Sequence, residues 1–151
     1  MPVAHACRLR TGRVSETGRI YVITAVVNNR KPIFKDFFLS RLLIKELRNT
    51  HTEGWVNSLA WVVMPDHFHW LIELRRSTLS TVMQRTKSRS ARAVNAAQQQ
   101  DSQLWQKGYH DRAIRYEHEI PSIARYIVAN PLRAGLVKRL ADYPHWDAIW
   151  L

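Results

Sequence analysis

A chain of 151 residues is long enough for one domain with a substantial buried core, and a hydrophobic content of 46% excludes a disordered protein. Lys and Arg number 23 against 12 Asp and Glu, so the formal net charge is +11, which indicates a polyanionic partner such as nucleic acid or an acidic membrane surface. The single cysteine, Cys7, excludes an intrachain disulfide and a cysteine-based zinc site.

No apolar run reaches the length of a signal peptide or a transmembrane helix, so we expect a cytoplasmic protein with no membrane partner. A basic protein of ordinary function, such as a ribosomal component, is the alternative explanation of the charge.

The N-terminal segment is rich in arginine and contains Gly12 and Gly18. This composition is typical of a loop, or of an arm that lies across a partner. Its basic residues are Arg8, Arg10, Arg13 and Arg19.

A strand and a helix follow. Ile20 to Val27 is β-branched and aromatic, which predicts a buried strand. Asp36 to Asn49 places phenylalanine and leucine at roughly helical spacing and predicts an amphipathic helix that stops near Gly54.

The next segment predicts a β-hairpin that carries two histidines. Trp55 to Met64 is one strand, and His67 to Leu74 is its antiparallel partner after a tight connection at Pro65. Residues two apart project from the same face of a strand, so His67 and His69 share a face. Two imidazoles on one face can hold a divalent metal ion, although a plain turn-to-strand junction explains the same residues without a metal.

A long helix is predicted from Thr78 to Gln100. Its apolar residues share one face, and three arginines share another at i, i+4 and i+7. That basic face is either simply solvated or a phosphate-binding surface. Its residues are Arg85, Arg89 and Arg92, and Lys87 adds to the charge of the helix.

Tyr109 to Arg115 predicts a short fourth strand, and Glu117 to Asn130 predicts a helix that ends before Pro131. The order β-α-β-β-α-β-α indicates an α+β fold, namely an antiparallel sheet with helices packed mainly on one face.

The chain has five tyrosines, and Tyr126 has the most suggestive position among them. Asn130 follows it by four residues, so a phenol and an amide share one face of the predicted helix. Packing in the core for Tyr126 and helix capping for Asn130 are simpler interpretations of these residues alone. Tyr109 and Tyr116, which flank the predicted fourth strand, are alternative nucleophiles.

Two motifs together resemble the REP-associated tyrosine transposases, which belong to the single-tyrosine, HUH-type superfamily of insertion-sequence transposases. They are Trp-Val-Val-Met-Pro-Asp-His-Phe-His-Trp-Leu at 61–71 and Ile-Ala-Arg-Tyr-Ile-Val-Ala-Asn-Pro-Leu-Arg-Ala-Gly-Leu-Val at 123–137. The resemblance implies a ferredoxin-like sheet and a single HUH-type domain over residues 1–151.

The resemblance also implies roles for four residues. His67 and His69 match the metal-binding pair, Tyr126 matches the nucleophile, and Asn130 matches the polar residue that completes the metal site. Many relatives carry Gln or an acidic residue at that last position, and a neutral Asn is a weaker ligand. The implied cofactor is a divalent metal ion, most readily Mg²⁺ or Mn²⁺.

The activity implied is cleavage and rejoining of single-stranded DNA at a palindromic, REP-like hairpin through a covalent 5′-phosphotyrosine. We therefore expect a bacterial protein that is associated with the nucleoid through DNA and acts as a monomer or homodimer. Basic residues would meet the DNA phosphates, namely Arg8, Arg10, Arg13, Arg85, Lys87, Arg89, Arg92, Arg112 and Arg133.

Three alternatives stay open at this stage. A non-catalytic nucleic-acid-binding module on a ferredoxin-like sheet would share the charge and the fold, but would form no covalent adduct with DNA. A metal-dependent phosphodiesterase that activates water, with His110 or Asp111 contributing, would cleave DNA without an adduct. A domesticated relative would keep the site but act mainly as a binder.

Overall fold

The structure is a computed structural model that describes residues 16–149. The strands of this part of the chain are β1 (Ile20–Val26), β2 (Val56–Met64), β3 (His67–Leu74), β4 (His110–Ala113) and β5 (Trp146–Ala148). Its α-helices are α1 (Phe37–Thr52), α2 (Leu79–Gln98), α3 (Ile120–Val128) and α4 (Asn130–Arg133). Short 3₁₀ turns lie at Asn28–Arg30, Ile33–Lys35, Glu117–Glu119 and Leu140–Asp142.

All five strands form one antiparallel sheet in the order β4-β1-β3-β2-β5. The first four strands have the order of a ferredoxin-like sheet, so the predicted fold class is confirmed. The β2–β3 hairpin turns at Pro65 and Asp66 and pairs Met64 with His67. β3 lies at the centre, with hydrogen-bonded neighbours on both sides.

The two faces of the sheet carry different helices. Alternate residues of β3, including Phe68 and Trp70, are fully buried against α1 and α2. Leu71 belongs instead to a second core on the other face, which contains Ile127 of α3. The two long helices thus share one face, as predicted, and the nine-residue α3 covers part of the opposite face.

Two of the helices begin at side-chain caps. The carboxylate of Asp36 accepts a hydrogen bond of 3.0 Å from the backbone N–H of Leu39 at the start of α1. The hydroxyl of Thr78 accepts one of 3.1 Å from Thr81 at the start of α2. Such caps satisfy backbone donors that have no partner within the helix. No helix of residues 16–149 is long and apolar enough to cross a membrane.

The predicted helix from Glu117 to Asn130 is interrupted. Its first three residues form a 3₁₀ turn, α3 ends at Val128, and Asn130 begins the separate turn α4. Pro131 explains the break, because it has no N–H to donate and its ring clashes with the carbonyl four residues earlier.

The short edge strand β5 was not predicted. Three residues with one buried alanine give no periodic signal. Contacts with β2 hold this segment instead: the N–H of Val63 donates to the carbonyl of His145 at 2.9 Å, and the hydroxyl of Tyr143 donates to the carbonyl of Val63 at 2.6 Å.

We predict that Tyr143→Phe lowers the free energy of unfolding by about 0.5–1.5 kcal/mol in urea denaturation at neutral pH, because the bond to Val63 is lost. Burial raises the pKa of Tyr143 from 10.0 to about 12. Ionisation therefore opposes folding, and wild type loses stability as pH rises from 10 to 12, a loss that the variant lacks. Tyr116→Phe is the matched control at an exposed tyrosine. Equal losses in both variants would contradict the assigned bond.

Candidate active site

His67 and His69 project from the face of β3 that is opposite to the α1–α2 core. Their ring centroids lie 4.9 Å apart, and the ring planes meet at 76°. Both side chains are half-buried, whereas Phe68 between them is fully buried on the other face. The pleat of the strand thus brings two imidazoles together, as the sequence predicted.

Each imidazole is held by a hydrogen bond at Nδ1. His69 Nδ1 lies 2.7 Å from the hydroxyl of Thr24 on β1, and His67 Nδ1 lies 2.7 Å from the carboxylate of Asp66. Asp66 also accepts a hydrogen bond of 3.1 Å from Arg30. With Nδ1 engaged, Nε2 is the nitrogen of each ring that is available to a ligand, which is the usual arrangement of metal-binding histidines.

The surroundings set the charge of these groups. Burial, together with the nearby charges of His67 and Arg133, lowers the pKa of His69 from 6.5 to about 4, so this imidazole is neutral at physiological pH. Burial raises the pKa of Asp66, but hydrogen bonds from His67 and Arg30 outweigh it, and the net pKa is lowered. A neutral imidazole is the form that binds a metal.

A cleft of about 540 Å³ adjoins His69, between α3 and the β1–β4 edge of the sheet. Tyr126 lines it with 66% of the residue exposed, and the guanidinium carbon of Arg133 lies 3.7 Å from the centre of its ring. The residues around the cleft are Val22, Thr24, His69, Arg112, Ser122, Ile123, Tyr126, Ile127, Asn130 and Arg133. A phenol hydroxyl therefore opens onto the same space as an imidazole.

Asn130 lines this cleft even though the helix that carries Tyr126 ends before it. Ala129, which joins α3 to α4, keeps right-handed helical angles (φ −79°, ψ −1°). The four-residue spacing therefore places both side chains on one side, as predicted, although the two residues lie on different helices.

The other four tyrosines do not line the cleft. Tyr21 and Tyr109 are buried in the core on the α1–α2 face, and Tyr143 is hydrogen-bonded to β2. Tyr116 is exposed but stacks on His118 at the other end of β4. Tyr126 is the tyrosine that lines the same cleft as His69, one member of the predicted histidine pair.

The predicted phosphate-binding residues fall into three groups. Arg112 on β4 and Arg133 on α4 line the cleft. The second group lies on α2, across the sheet from the cleft: Arg85, Lys87, Arg89 and Arg92. The third group, Arg8, Arg10 and Arg13, lies outside the described residues.

Three of the four basic residues on α2 make contacts within the fold. Arg85 forms an ion pair with Glu53, and Arg89 forms one of 2.9 Å with Glu46 on α1. The ammonium of Lys87 donates to two backbone carbonyls of the loop at residues 106–108, at distances of 2.7 and 2.6 Å. Arg92 is exposed. Much of the predicted basic face of α2 is therefore engaged in contacts within the fold.

The donor set suits a divalent cation. Two imidazoles at close range and one amide in the adjoining cleft provide nitrogen and oxygen ligands and leave positions open for phosphate oxygens or water. No group of three or more His, Cys, Asp or Glu side chains able to hold a metal occurs within residues 16–149. The amide of Asn130, which lines the adjoining cleft, is the third protein ligand that the resemblance implied.

Sequence reasoning did not find the two residues that hold the histidine rings. Thr24 gave a signal that could have been used, because it is the one residue of its strand that is neither aliphatic nor aromatic. Asp66 is adjacent to His67, but its sequence position fits a turn equally well. Only the pairing of β1 with β3 shows that Thr24 lies opposite His69.

The sequence matches the family model described as "Transposase IS200 like" over residues 16–130. The chain belongs to this transposase family. A protein of Haemophilus influenzae, provisionally named a REP-associated tyrosine transposase, is 26% identical over 144 residues, which cover 85% of this chain and 78% of the relative. The REP-associated tyrosine transposase of Escherichia coli K12 is 29% identical over 87 residues, or 56% of this chain and 50% of the relative. The resemblance drawn from the motifs is confirmed, and the transposase family is one of enzymes.

Solved structures show the same fold. A REP-associated tyrosine transposase bound to a REP hairpin superimposes on this transposase with a TM-score of 0.75 at 23% identity, covering 89% of this chain and 79% of that one. A provisionally assigned transposase of Deinococcus radiodurans gives a TM-score of 0.55 at 23% identity, covering 72% and 87%.

We predict that His69 of the metal-free transposase titrates near pH 4 in a ¹H–¹⁵N NMR experiment, instead of near 6.5. Arg133→Gln raises this midpoint only in part, because burial is the larger cause. The matched variant Arg112→Gln leaves it unchanged. Because the pKa is lowered by folding, the folded state loses stability as pH falls from 6.5 towards 4. A midpoint near 6.5 would show that the ring is solvated.

Proposed function

We propose that this transposase cleaves and rejoins single-stranded DNA beside a palindromic, REP-like hairpin, with Tyr126 as the nucleophile. The observation that carries the proposal is that Tyr126, His69, Asn130 and Arg133 line a single cleft. This arrangement supports the proposal, because a catalytic nucleophile and the groups that stabilise charge must open onto one space.

Hairpin DNA as the partner is supported by charge and by analogy. A net charge of +11 favours a polyanion, and a solved relative with the same fold is bound to a REP hairpin. The cleft itself is open to solvent, which suits a single strand that must reach Tyr126.

The proposed step is a transesterification. The hydroxyl oxygen of Tyr126 forms a bond to phosphorus while the bond from phosphorus to the 3′-oxygen breaks. The phenol loses its proton and the departing 3′-oxygen gains one, which leaves a 5′-phosphotyrosine and a free 3′-hydroxyl. Attack by another 3′-hydroxyl reverses the step and rejoins DNA, because the phosphodiester energy is kept in the covalent link.

The residues around the cleft prepare this step. Arg133 stacks on the Tyr126 ring and so orients an otherwise exposed phenol, while its charge is close enough to affect His69. Thr24 and Asp66 hold the two imidazoles so that Nε2 of each can act as a ligand. His67, His69 and Asn130 would hold a divalent ion, Mg²⁺ or Mn²⁺, which would polarise the scissile phosphate when bound.

Phosphate binding is proposed first for Arg112 and Arg133, since both line the cleft. On α2, the exposed Arg92 is the residue best placed to meet DNA. Arg85 and Arg89 would have to exchange their glutamate partners for phosphates.

One observation keeps the water-activating phosphodiesterase as a second candidate. His110 on β4 pairs with Thr24 on β1, which in turn pairs with His69 on β3. Directly paired residues of antiparallel strands project from the same face, so His110 lies on the face of the cleft. A histidine there could serve as a base for water.

We predict that Tyr126→Phe abolishes the covalent protein–DNA adduct while hairpin affinity changes less than about twofold, because only the attacking oxygen is removed. A denaturing gel with labelled single-stranded hairpin DNA and Mg²⁺ or Mn²⁺ measures the adduct. Tyr116→Phe, at the exposed tyrosine outside the cleft, is the matched control and should retain it. Cleavage that survives in Tyr126→Phe would favour the phosphodiesterase.

A second prediction concerns the metal. Thr24→Val removes the bond that holds His69 and should weaken Mn²⁺ binding by about 10- to 100-fold, measured by isothermal titration calorimetry. Thr52→Val, at an exposed threonine at the end of α1, should leave it unchanged. Intact nicking by the His67→Ala, His69→Ala double variant would contradict the proposed metal site.

A further inference from the structure

Two phenylalanines at the start of α1 are exposed to an unusual degree. Phe37 and Phe38 have 60% and 62% of their surface accessible, while the following Leu39 is buried. Neither belongs to the two hydrophobic cores. Adjacent large aromatic side chains in water point to a binding surface, and we call this pair the aromatic platform.

The aromatic platform packs against other rings of the fold. The ring of Phe37 lies 5.3 Å from that of His145, which is 5% exposed. The ring of Tyr143 meets His145 edge-on at 5.6 Å, and its hydroxyl is bonded to β2. Phe37 is therefore presented on a layer of packed rings.

Basic residues flank the aromatic platform along the chain. Arg30, Lys31 and Lys35 precede it and are exposed, and Arg41 follows one turn later on α1. The neighbouring carboxylate, Asp36, accepts the capping hydrogen bond of the helix. Aromatic rings bordered by cations are the features with which proteins bind single-stranded nucleic acid, the rings stacking on bases and the cations meeting phosphates.

The segment that precedes the aromatic platform is tied to the candidate active site. The N–H of Phe34 donates to the carbonyl of Pro65 at 2.9 Å, and Arg30 forms an ion pair of 3.1 Å with Asp66, the residue that holds His67. Beneath the platform, His145 is bonded to β2, so it lies two strands from β3, or about 10 Å across the sheet.

We propose that the aromatic platform is a second DNA subsite, on which unpaired bases that flank the hairpin stack before the strand enters the cleft of Tyr126. The identity of the ligand as single-stranded DNA rests on the proposed function. A second copy of this chain fits the surface poorly, because a two-fold contact would bring Arg30, Lys31 and Lys35 against the same cations.

The test uses the full chain and a hairpin that carries 2-aminopurine in its unpaired flank, moved one position at a time. Wild type should quench the fluorescence at one or two positions, because the base stacks on an aromatic ring. Phe38→Ala and Phe37→Ala should abolish the quenching and weaken binding of the flanked hairpin by about 5- to 100-fold, with little change for a hairpin without a flank. Phe38→Trp should retain both properties.

Tyr116→Ala is the matched control, because this tyrosine is 53% exposed at the opposite end of the sheet. Unchanged quenching and affinity in both phenylalanine variants would overturn the subsite. The subsite would also be overturned if sedimentation showed that the variants lose a dimer that wild type forms, while their quenching is kept.

The two proposals fail in different ways. If wild type forms the Tyr126 adduct but the phenylalanine variants bind like wild type, only the subsite is wrong. If quenching depends on Phe37 and Phe38 but no adduct forms, only the catalytic proposal is wrong.

Discussion

The position of β3 between β1 and β2 is the constraint on which the rest of the structure depends. Hydrogen bonds on both edges fix its register, and the pleat sends successive side chains to opposite faces. Phe68 and Trp70 therefore anchor the α1–α2 core, while His67 and His69 project from the opposite face, where His69 lines the cleft. A slip of one residue would exchange these sets, so the burial of two large aromatic rings also fixes where the imidazoles point.

The helices cover the two faces of the sheet unequally, and the less covered face carries the candidate active site. Two long helices close one face, whereas the short α3 covers only part of the other and leaves a cleft beside β1 and β4. Tyr126 remains exposed at that opening, where the guanidinium of Arg133 stacks on its ring. The basic residues are also divided between the two faces of the sheet. Arg85 and Arg89 on α2 form ion pairs with Glu53 and Glu46, whereas Arg112 and Arg133 line the cleft.

Periodic segments were predicted well and short ones were not. The strand that carries the histidines and the two long helices were predicted to within about three residues, because burial on one face imposes a regular pattern. The helix predicted from Glu117 to Asn130, ending before Pro131, is observed as a 3₁₀ turn followed by α3, which ends at Val128, two residues before the predicted end. β5 was missed because contacts with β2, made 80 residues away in sequence in the case of Tyr143 and Val63, hold it in place.

The sequence by itself determined the alternation of β3, hence the shared face of His67 and His69, and the one-turn separation of Tyr126 from Asn130, because both follow from local backbone geometry. Only the tertiary structure decided that His69 meets Tyr126 and Asn130 at one cleft, that Thr24 and Asp66 hold the imidazole rings, and that Phe37 and Phe38 stay exposed. The physical reason is that strand pairing and helix packing bring together residues that are distant along the chain. A local sequence pattern does not indicate which distant residues will contact each other.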